Sequence, residues 1–187
     1  MKIGLIVEGN SDKILFSSLE KWFKERKIDI EIIESGGKSR MKKNFHKHLK
    51  TCKYLLQTEY VIFLPDQDGD STIEDTISSF PVARDFNYSI SVLAKELEAW
   101  ILSDSTCLNL SFGINRAPAG YTDNIVNPKE VLISLVMKTL KHEITNIEII
   151  NILKTTFSLN KAKQNNNSAR NFVDLIESLS LAQQSAG

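Results

Sequence analysis

The sequence predicts an α/β fold, with a mostly parallel four-stranded sheet, helices on both of its faces and a C-terminal helical appendage. Short apolar runs rich in β-branched residues recur along the first half of the chain, and stretches of helical spacing lie between them. Polar breaks then separate three more amphipathic stretches near the C-terminal end. Strands that alternate with helices favour a parallel sheet, because each helix carries the chain back to start the next strand.

The first two predicted strands are each followed by a helix. Residues 3–7 form an apolar run, and after a polar turn the apolar side chains of residues 12–26 recur at helical spacing. Residues 28–33 predict a second strand, which ends before a Gly-Gly pair. A second amphipathic helix follows, and its apolar face carries Met41, Phe45, Leu49, Cys52 and Leu56.

The remaining elements complete the sheet and begin the appendage. Residues 60–64 predict the third strand and residues 88–93 the fourth, and helices follow them at 71–79 and 96–103. Residues 105–128 contain glycines and prolines typical of an irregular connection. Helical periodicity then returns in three stretches, at residues 129–140, 144–155 and 168–179.

Composition is that of one core with an appendage. The chain has 187 residues, of which 42% are hydrophobic and 25% charged, as in ordinary globular domains. We expect residues 1–104 to form the core and residues 105–187 to form the connection and the helices packed on it. No signal peptide or membrane span is predicted, so we expect a cytoplasmic protein without a membrane partner. The cysteines, Cys52 and Cys107, lack metal-site spacing and are predicted to be buried or indifferent thiols.

Positive and negative charges are separated along the chain, although the formal net charge is zero. Residues 36–57 hold seven basic side chains and no acid, whereas residues 59–104 hold ten acids and two bases. This order suggests a polyanion held close to a cation. A solvated basic helix face is the alternative interpretation. The basic side chains that could contact nucleic-acid phosphates after the Gly-Gly turn are Lys38, Arg40, Lys42 and Lys43.

Acidic side chains follow three of the predicted strands. The carboxyl ends of parallel strands line one edge of a sheet, and this edge is where ligands bind in open α/β folds. We therefore expect acids that are remote in sequence to converge there. They are Glu8 after the first strand, Asp66 and Asp68 after the third, and Glu96 and Glu98 after the fourth.

The carboxylates of Asp66, Asp68 and Asp70 repel one another unless a positive charge holds them. An EF-hand loop starting at Asp66 would need glycine and glutamate where this chain has Ser71 and Ile77. A phosphatase of the haloacid dehalogenase type is a better alternative, but its acidic motif commonly follows the first strand. A Mg²⁺ site remains, because this ion accepts a few hard carboxylate oxygens and keeps positions for substrate phosphate.

Three segments resemble the Toprim family. EGNSD at residues 8–12 follows the first strand, DxD at residues 66–68 follows the third, and KELEAWILSD occupies residues 95–104. The chain resembles in particular the small stand-alone Toprim-like proteins of bacteria, akin to the nuclease domain of the overcoming-lysogenisation-defect (OLD) proteins. The resemblance covers residues 1–104, and NPKEVL and SARNFVDLI further on resemble the helical tail of the same proteins.

The resemblance implies phosphodiester chemistry with one or two Mg²⁺ or Mn²⁺ ions. Glu8 matches the family glutamate that acts as general acid/base or metal ligand, and Asp66 and Asp68 match its catalytic metal-binding pair. Two metal ions about 4 Å apart can generate a hydroxide and stabilise the leaving oxygen. Further acids that could hold the metal by this resemblance are Asp70, Glu96 and Glu98.

Three functions stay open at this stage. The first is a metal-dependent nuclease acting on DNA or RNA, of a kind found in antiphage defence. The second is a non-catalytic or partner-dependent Toprim module that works beside an ATPase, since this chain has no Walker A sequence. The third is a small-molecule phosphatase or phosphotransferase. Each acid also has a purely structural interpretation: Glu8 could cap a helix, the loop aspartates could form turns, and Glu98 could be a surface acid.

Overall fold

The structure is a computed structural model, and it describes residues 1–115, 118 and 120–185. The chain forms two compact units. The first comprises Met1–Val92 together with the described residues from Leu175 onward, and the second comprises Leu93–Asp174. The boundary at Val92 lies before the division after residue 104 that the sequence suggests.

The first unit contains a four-stranded sheet in which every pairing is parallel, so the predicted α/β class is confirmed. The strand order is β2-β1-β3-β4, which makes β1 and β3 the central strands. Central strands are buried on both faces, which explains why the sequences of β1 and β3 are almost continuous apolar runs. The strands are β1 (Lys2–Val7), β2 (Asp29–Glu34), β3 (Tyr60–Leu64) and β4 (Tyr88–Ile90).

The register aligns the carboxyl ends of the first three strands. Val7, the last residue of β1, lies opposite Glu34 of β2 and Leu64 of β3. The loops that follow these strands therefore start at the same level of the sheet. β4 is shorter than predicted and ends at Ile90, although the N–H of Ser91 still donates to the carbonyl of Phe63 at 2.8 Å.

The helices of the first unit are more divided than the periodicity predicts. The apolar stripe continues through each break, so the spacing of apolar residues alone cannot reveal where a helix is interrupted. The breaks fall at Leu19 and Asn44, whose ψ angles of 8° and 13° depart from helical geometry. The segments are α1 (Asn10–Ser18), α2 (Glu20–Lys24), α3 (Lys38–Lys43), α4 (Phe45–Lys50), a π-helical turn (Thr51–Leu55) and α5 (Ile73–Ser78).

An apolar core packs α3, α4 and the π-helical turn against the sheet. The Phe45 and Phe63 rings lie 4.7 Å apart, and Cys52 is buried as a free thiol, as predicted. A Cβ atom on Gly4 would lie 2.6 Å from the Cys52 sulfur. Glycine in β1 therefore permits the close approach of the π-helical turn to the sheet.

The second unit is helical. Ser105–Phe112 is a helix, so the prediction of an irregular connection beginning at residue 105 was wrong; residues 116, 117 and 119 of that connection lie outside the described part. Asp104 caps this helix by accepting the Cys107 N–H, and Gly113 ends it with left-handed backbone. The elements are α6 (Leu97–Ser103), α7 (Ser105–Phe112), a 3₁₀ turn (Thr122–Asn124), α8 (Pro128–Leu140), α9 (Asn146–Leu153), α10 (Leu159–Asn165) and the first part of α11 (Asn167–Ser185).

Two further features of the second unit bear on the predictions. Helix α10 was missed, because its polar sequence resembles a break between helices. Cys107 is buried and free, as predicted. Across both units, the described helices include none that is long and apolar enough to cross a membrane.

Candidate active site

Glu8 joins the carboxyl ends of the first three strands. One of its carboxylate oxygens, Oε2, accepts the Lys38 backbone N–H at 2.8 Å, and the other, Oε1, accepts the Asp66 backbone N–H at 2.9 Å. Its backbone carbonyl accepts the N–H groups of Gly36 and Gly37 at 3.0 and 2.9 Å. A single residue after β1 thus holds both the loop after β2 and the loop after β3.

The Gly-Gly pair before α3 provides the backbone conformation for this contact. Gly36 and Gly37 have φ angles of +78° and +105°, which residues with a side chain rarely adopt. The turn brings the first N–H of α3, that of Lys38, onto the Glu8 carboxylate. A negative charge is stabilised at this end of a helix by the unpaired N–H groups and the dipole.

The surroundings of Glu8 raise the pKa of its carboxyl group. Burial raises the pKa of this carboxyl above its ordinary value, and the neighbouring charge of Asp68 adds to the rise. The hydrogen bonds from the Asp66 and Lys38 backbones, together with the Lys38 charge, oppose it. A carboxyl whose pKa is raised in this way is better suited to exchange a proton near neutral pH than an ordinary glutamate.

The segment 66–70, which we call the acidic loop, surrounds the ammonium group of Lys38. Lys38 Nζ donates to the carbonyl oxygens of Asp66 and Gln67 at 3.1 and 2.8 Å and to Asp70 Oδ2 at 3.0 Å. It also lies 3.6 Å from Asp68 Oδ2, and only 14% of the Lys38 side chain is exposed. The positive charge that the crowded aspartates need therefore comes from the chain itself.

Further hydrogen bonds hold the acidic loop in shape. The buried Gln67 side chain donates to the carbonyls of Asp70 and Ser71 at 3.2 and 3.3 Å. Asp70 Oδ2 also accepts the Thr76 hydroxyl of α5 at 2.8 Å. The hydrogen bond from Lys38, followed by that from Thr76, lowers the pKa of Asp70. Asp70 is thus ionised and held on two sides.

Asp68 is more exposed than the other two aspartates of the acidic loop, Asp66 and Asp70. Its side chain is 45% exposed, and its φ angle of +47° lies in the left-handed region. Aspartate and asparagine tolerate this region better than most residues with a side chain. The Asp68 carboxylate therefore faces solvent beside the ammonium of Lys38.

Within the described residues, no group of three or more His, Cys, Asp or Glu side chains is arranged to hold a metal ion. Both Glu8 oxygens face backbone N–H groups, and Asp70 faces Lys38. The type of donor nevertheless fits Mg²⁺ or Mn²⁺, because a cation already lies among hard carboxylate and carbonyl oxygens of the acidic loop. The oxygens of the acidic loop are thus of the type that binds a divalent ion, and the ammonium of Lys38 lies among them.

Glu96 and Glu98 belong to the second unit. Glu96 precedes α6 and its Oε2 accepts the Lys129 N–H of α8 at 3.3 Å. Glu98 is buried, accepts the Asn146 side-chain N–H at 2.6 Å, and has a pKa raised by burial. The alternative that Glu98 is a surface acid was therefore wrong, because its side chain is buried. The convergence of these two glutamates with the acids of the first unit stays a prediction.

The basic side chains of α3 lie in different surroundings. The ammonium of Lys38 contacts the acidic loop, whereas Arg40 and Lys43 are exposed. The Arg40 side chain lies over Gly36, and Lys42 Nζ lies 5.5 Å from the centre of the Phe80 ring.

Sequence reasoning missed the role of Lys38 as counter-ion of the acidic loop. It also missed Gln67 and Thr76, which hold that loop. The one available signal was the position of Lys38 directly after the Gly-Gly turn, beside the predicted edge of acids.

Comparisons of the chain with protein-family models, curated proteins and solved structures found no match. The Toprim resemblance therefore stays a prediction, which depends on the residues of the site.

Proposed function

We propose that this protein is a metal-dependent nuclease of the Toprim kind, which hydrolyses phosphodiester bonds of DNA or RNA. The observation that carries the proposal is the hydrogen bond from the Asp66 backbone to the Glu8 carboxylate at 2.9 Å. This hydrogen bond joins the ends of β1 and β3. The residues that match the Toprim glutamate and aspartate pair follow these two strands. Had Glu8 been remote from the acidic loop, the proposal would have failed.

The acidic loop would hold Mg²⁺ or Mn²⁺ through Asp66, Asp68 and Asp70. When bound, such an ion activates water and stabilises charge on the phosphate oxygens. The Glu8 carboxylate accepts two backbone N–H groups. Because its own pKa is raised, Glu8 can give or take a proton at the carboxyl edge of the sheet.

The basic side chains of α3 suit a nucleic-acid backbone. Arg40 and Lys43 are exposed on the helix whose first N–H contacts Glu8. Arginine and lysine there would neutralise phosphates, and the affinity should fall as salt rises. A cytoplasmic location is part of the proposal, in keeping with the buried free thiols Cys52 and Cys107.

A cleavage assay with matched variants tests the proposal. Purified protein is incubated with Mg²⁺ or Mn²⁺ and with single- and double-stranded DNA and RNA. We expect cleavage by the unaltered protein and by Glu74→Gln, an exposed acid of α5, and a loss of about 100-fold or more in Asp66→Asn. Equal cleavage by Asp66→Asn would exclude this site, and turnover of a phosphomonoester without polymer cleavage would favour the phosphatase alternative.

A partner-dependent module is the second candidate, favoured by the position of the Lys38 ammonium among the loop oxygens. In such a module, binding of an ATPase partner would rearrange the acidic loop and so permit cleavage. This candidate predicts no cleavage by the protein alone and cleavage after addition of an ATPase encoded beside it.

A further inference from the structure

We infer that the Lys38 ammonium is the resting counter-ion of the acidic loop, and that a divalent ion binds there only after this ammonium has left. The inference rests on the proposed function and concerns the regulation of the same site. Lys38 would set the metal concentration at which the protein becomes active.

The ammonium uses all of its hydrogen-bonding capacity in the acidic loop. A lysine ammonium has three N–H donors, and Lys38 Nζ has three acceptors: the carbonyls of Asp66 and Gln67, and Asp70 Oδ2. Asp68 Oδ2 adds a fourth oxygen at 3.6 Å. Carboxylate and carbonyl oxygens of this kind are also the ligands that Mg²⁺ and Mn²⁺ prefer.

The two cations exclude each other. A divalent ion bound to Asp68 or Asp70 would lie within a few ångströms of Lys38 Nζ, and like charges at that distance repel strongly in a partly buried site. The ammonium would also lose acceptors to the ion. Metal binding therefore requires that Lys38 Nζ move away from the acidic loop.

The attachment of Lys38 permits this movement without unfolding the site. Its backbone N–H is held separately by Glu8 at 2.8 Å, at the start of α3. The ammonium is at the end of a flexible four-carbon stem. The side chain can therefore swing out while the backbone contact of Glu8 stays in place.

Metal affinity without turnover provides the test. Mn²⁺ binding is measured by titration calorimetry at low ionic strength for the unaltered protein, Lys38→Met and Lys47→Met. Methionine keeps most of the apolar stem and removes the charge, and Lys47 is an exposed residue of α4. We expect Lys38→Met to bind Mn²⁺ at least about tenfold more tightly and Lys47→Met to bind as the unaltered protein does. Equal or weaker binding by Lys38→Met would overturn the inference.

A second measurement uses the unaltered protein, in case Lys38→Met does not fold. Lysine ammonium groups are observed by NMR in ¹⁵N-labelled protein, with and without Mg²⁺. We expect the Lys38 ammonium to be protected from exchange with solvent without Mg²⁺ and to lose this protection at saturation. Retained protection with Mg²⁺ bound would overturn the inference.

The two proposals fail in distinguishable ways. Cleavage of nucleic acid with unchanged Mn²⁺ affinity in Lys38→Met would overturn only the role of Lys38. Tighter Mn²⁺ binding by Lys38→Met without cleavage of any polymer would support the role of Lys38 and contradict a nuclease that acts without a partner. Absence of Mn²⁺ binding in both proteins would overturn both proposals.

Discussion

The Glu8 carboxylate accepts the backbone N–H of Asp66 at 2.9 Å, although 58 positions separate the two residues in the chain. The same carboxylate accepts the Lys38 N–H, so one side chain after β1 connects the loops after β2 and β3. The structural role of Glu8 therefore coincides with its proposed catalytic role, and variants must be assayed for both stability and cleavage.

Replacement of Glu8 by alanine should destabilise the first unit. Two partly buried N–H groups would lose their acceptor, at a cost of about 1–3 kcal/mol each where water cannot replace it. Glu8→Gln keeps one acceptor oxygen and should lie between Glu8→Ala and the unaltered protein. The free energy of unfolding is measured in urea. Equal midpoints for the three proteins would contradict the bridging role.

Replacement of Glu98 by glutamine should change how stability depends on pH. Burial raises the pKa of Glu98 above its ordinary value of 4.5, so the folded state binds this proton more tightly than the unfolded state. The stabilising contribution of the protonated group is present below pH 4.5 and is lost as pH rises through the folded-state pKa.

Glutamine stays neutral and keeps an oxygen for the Asn146 N–H. Relative to the unaltered protein, Glu98→Gln should therefore gain stability as pH increases from about 4 to 8. Urea unfolding over this range measures the difference, with Glu74→Gln as the exposed control. Parallel curves for Glu98→Gln and the unaltered protein would count against a raised pKa.

Replacement of Gly4 by alanine should overpack the first unit. The new Cβ atom would lie 2.6 Å from the sulfur of the buried Cys52, and we expect a loss of about 1–3 kcal/mol in stability. Removal of the sulfur in the double variant Gly4→Ala, Cys52→Ala should recover part of this loss relative to Cys52→Ala alone. Gly69→Ala, where a Cβ atom meets no neighbour within 4 Å, is the control. A loss in Gly4→Ala no greater than in Gly69→Ala would refute the clash.

The proposed nuclease activity should depend on both a divalent ion and Asp68. A chelator should abolish cleavage and excess Mn²⁺ should restore it. Asp68→Asn keeps a side chain suited to the φ angle of +47° but loses the charge, so cleavage should fall by about 10–100-fold and require more Mn²⁺. A titration of Mn²⁺ against cleavage rate measures both effects. Cleavage that persists in the chelator would exclude the proposed chemistry.

Local patterns were sufficient for the framework of the first unit. The apolar runs around β1 and β3 specify buried parallel strands, and the residues that follow them, Glu8 and Asp66, therefore lie near the carboxyl ends. The breaks at Leu19 and Asn44 could not be predicted, because a rotation at one residue leaves the apolar spacing on both sides unchanged.

By itself, the sequence determined the class of fold and which strand ends carry acids, because both follow from hydrophobic spacing and chain order. Only the tertiary structure decided what the acids contact. The order β2-β1-β3 places the start of α3 and the acidic loop on either side of Glu8, and thereby brings the ammonium of Lys38 among the loop oxygens. Such contacts depend on strand order and side-chain direction, which are non-local properties that residue spacing does not encode.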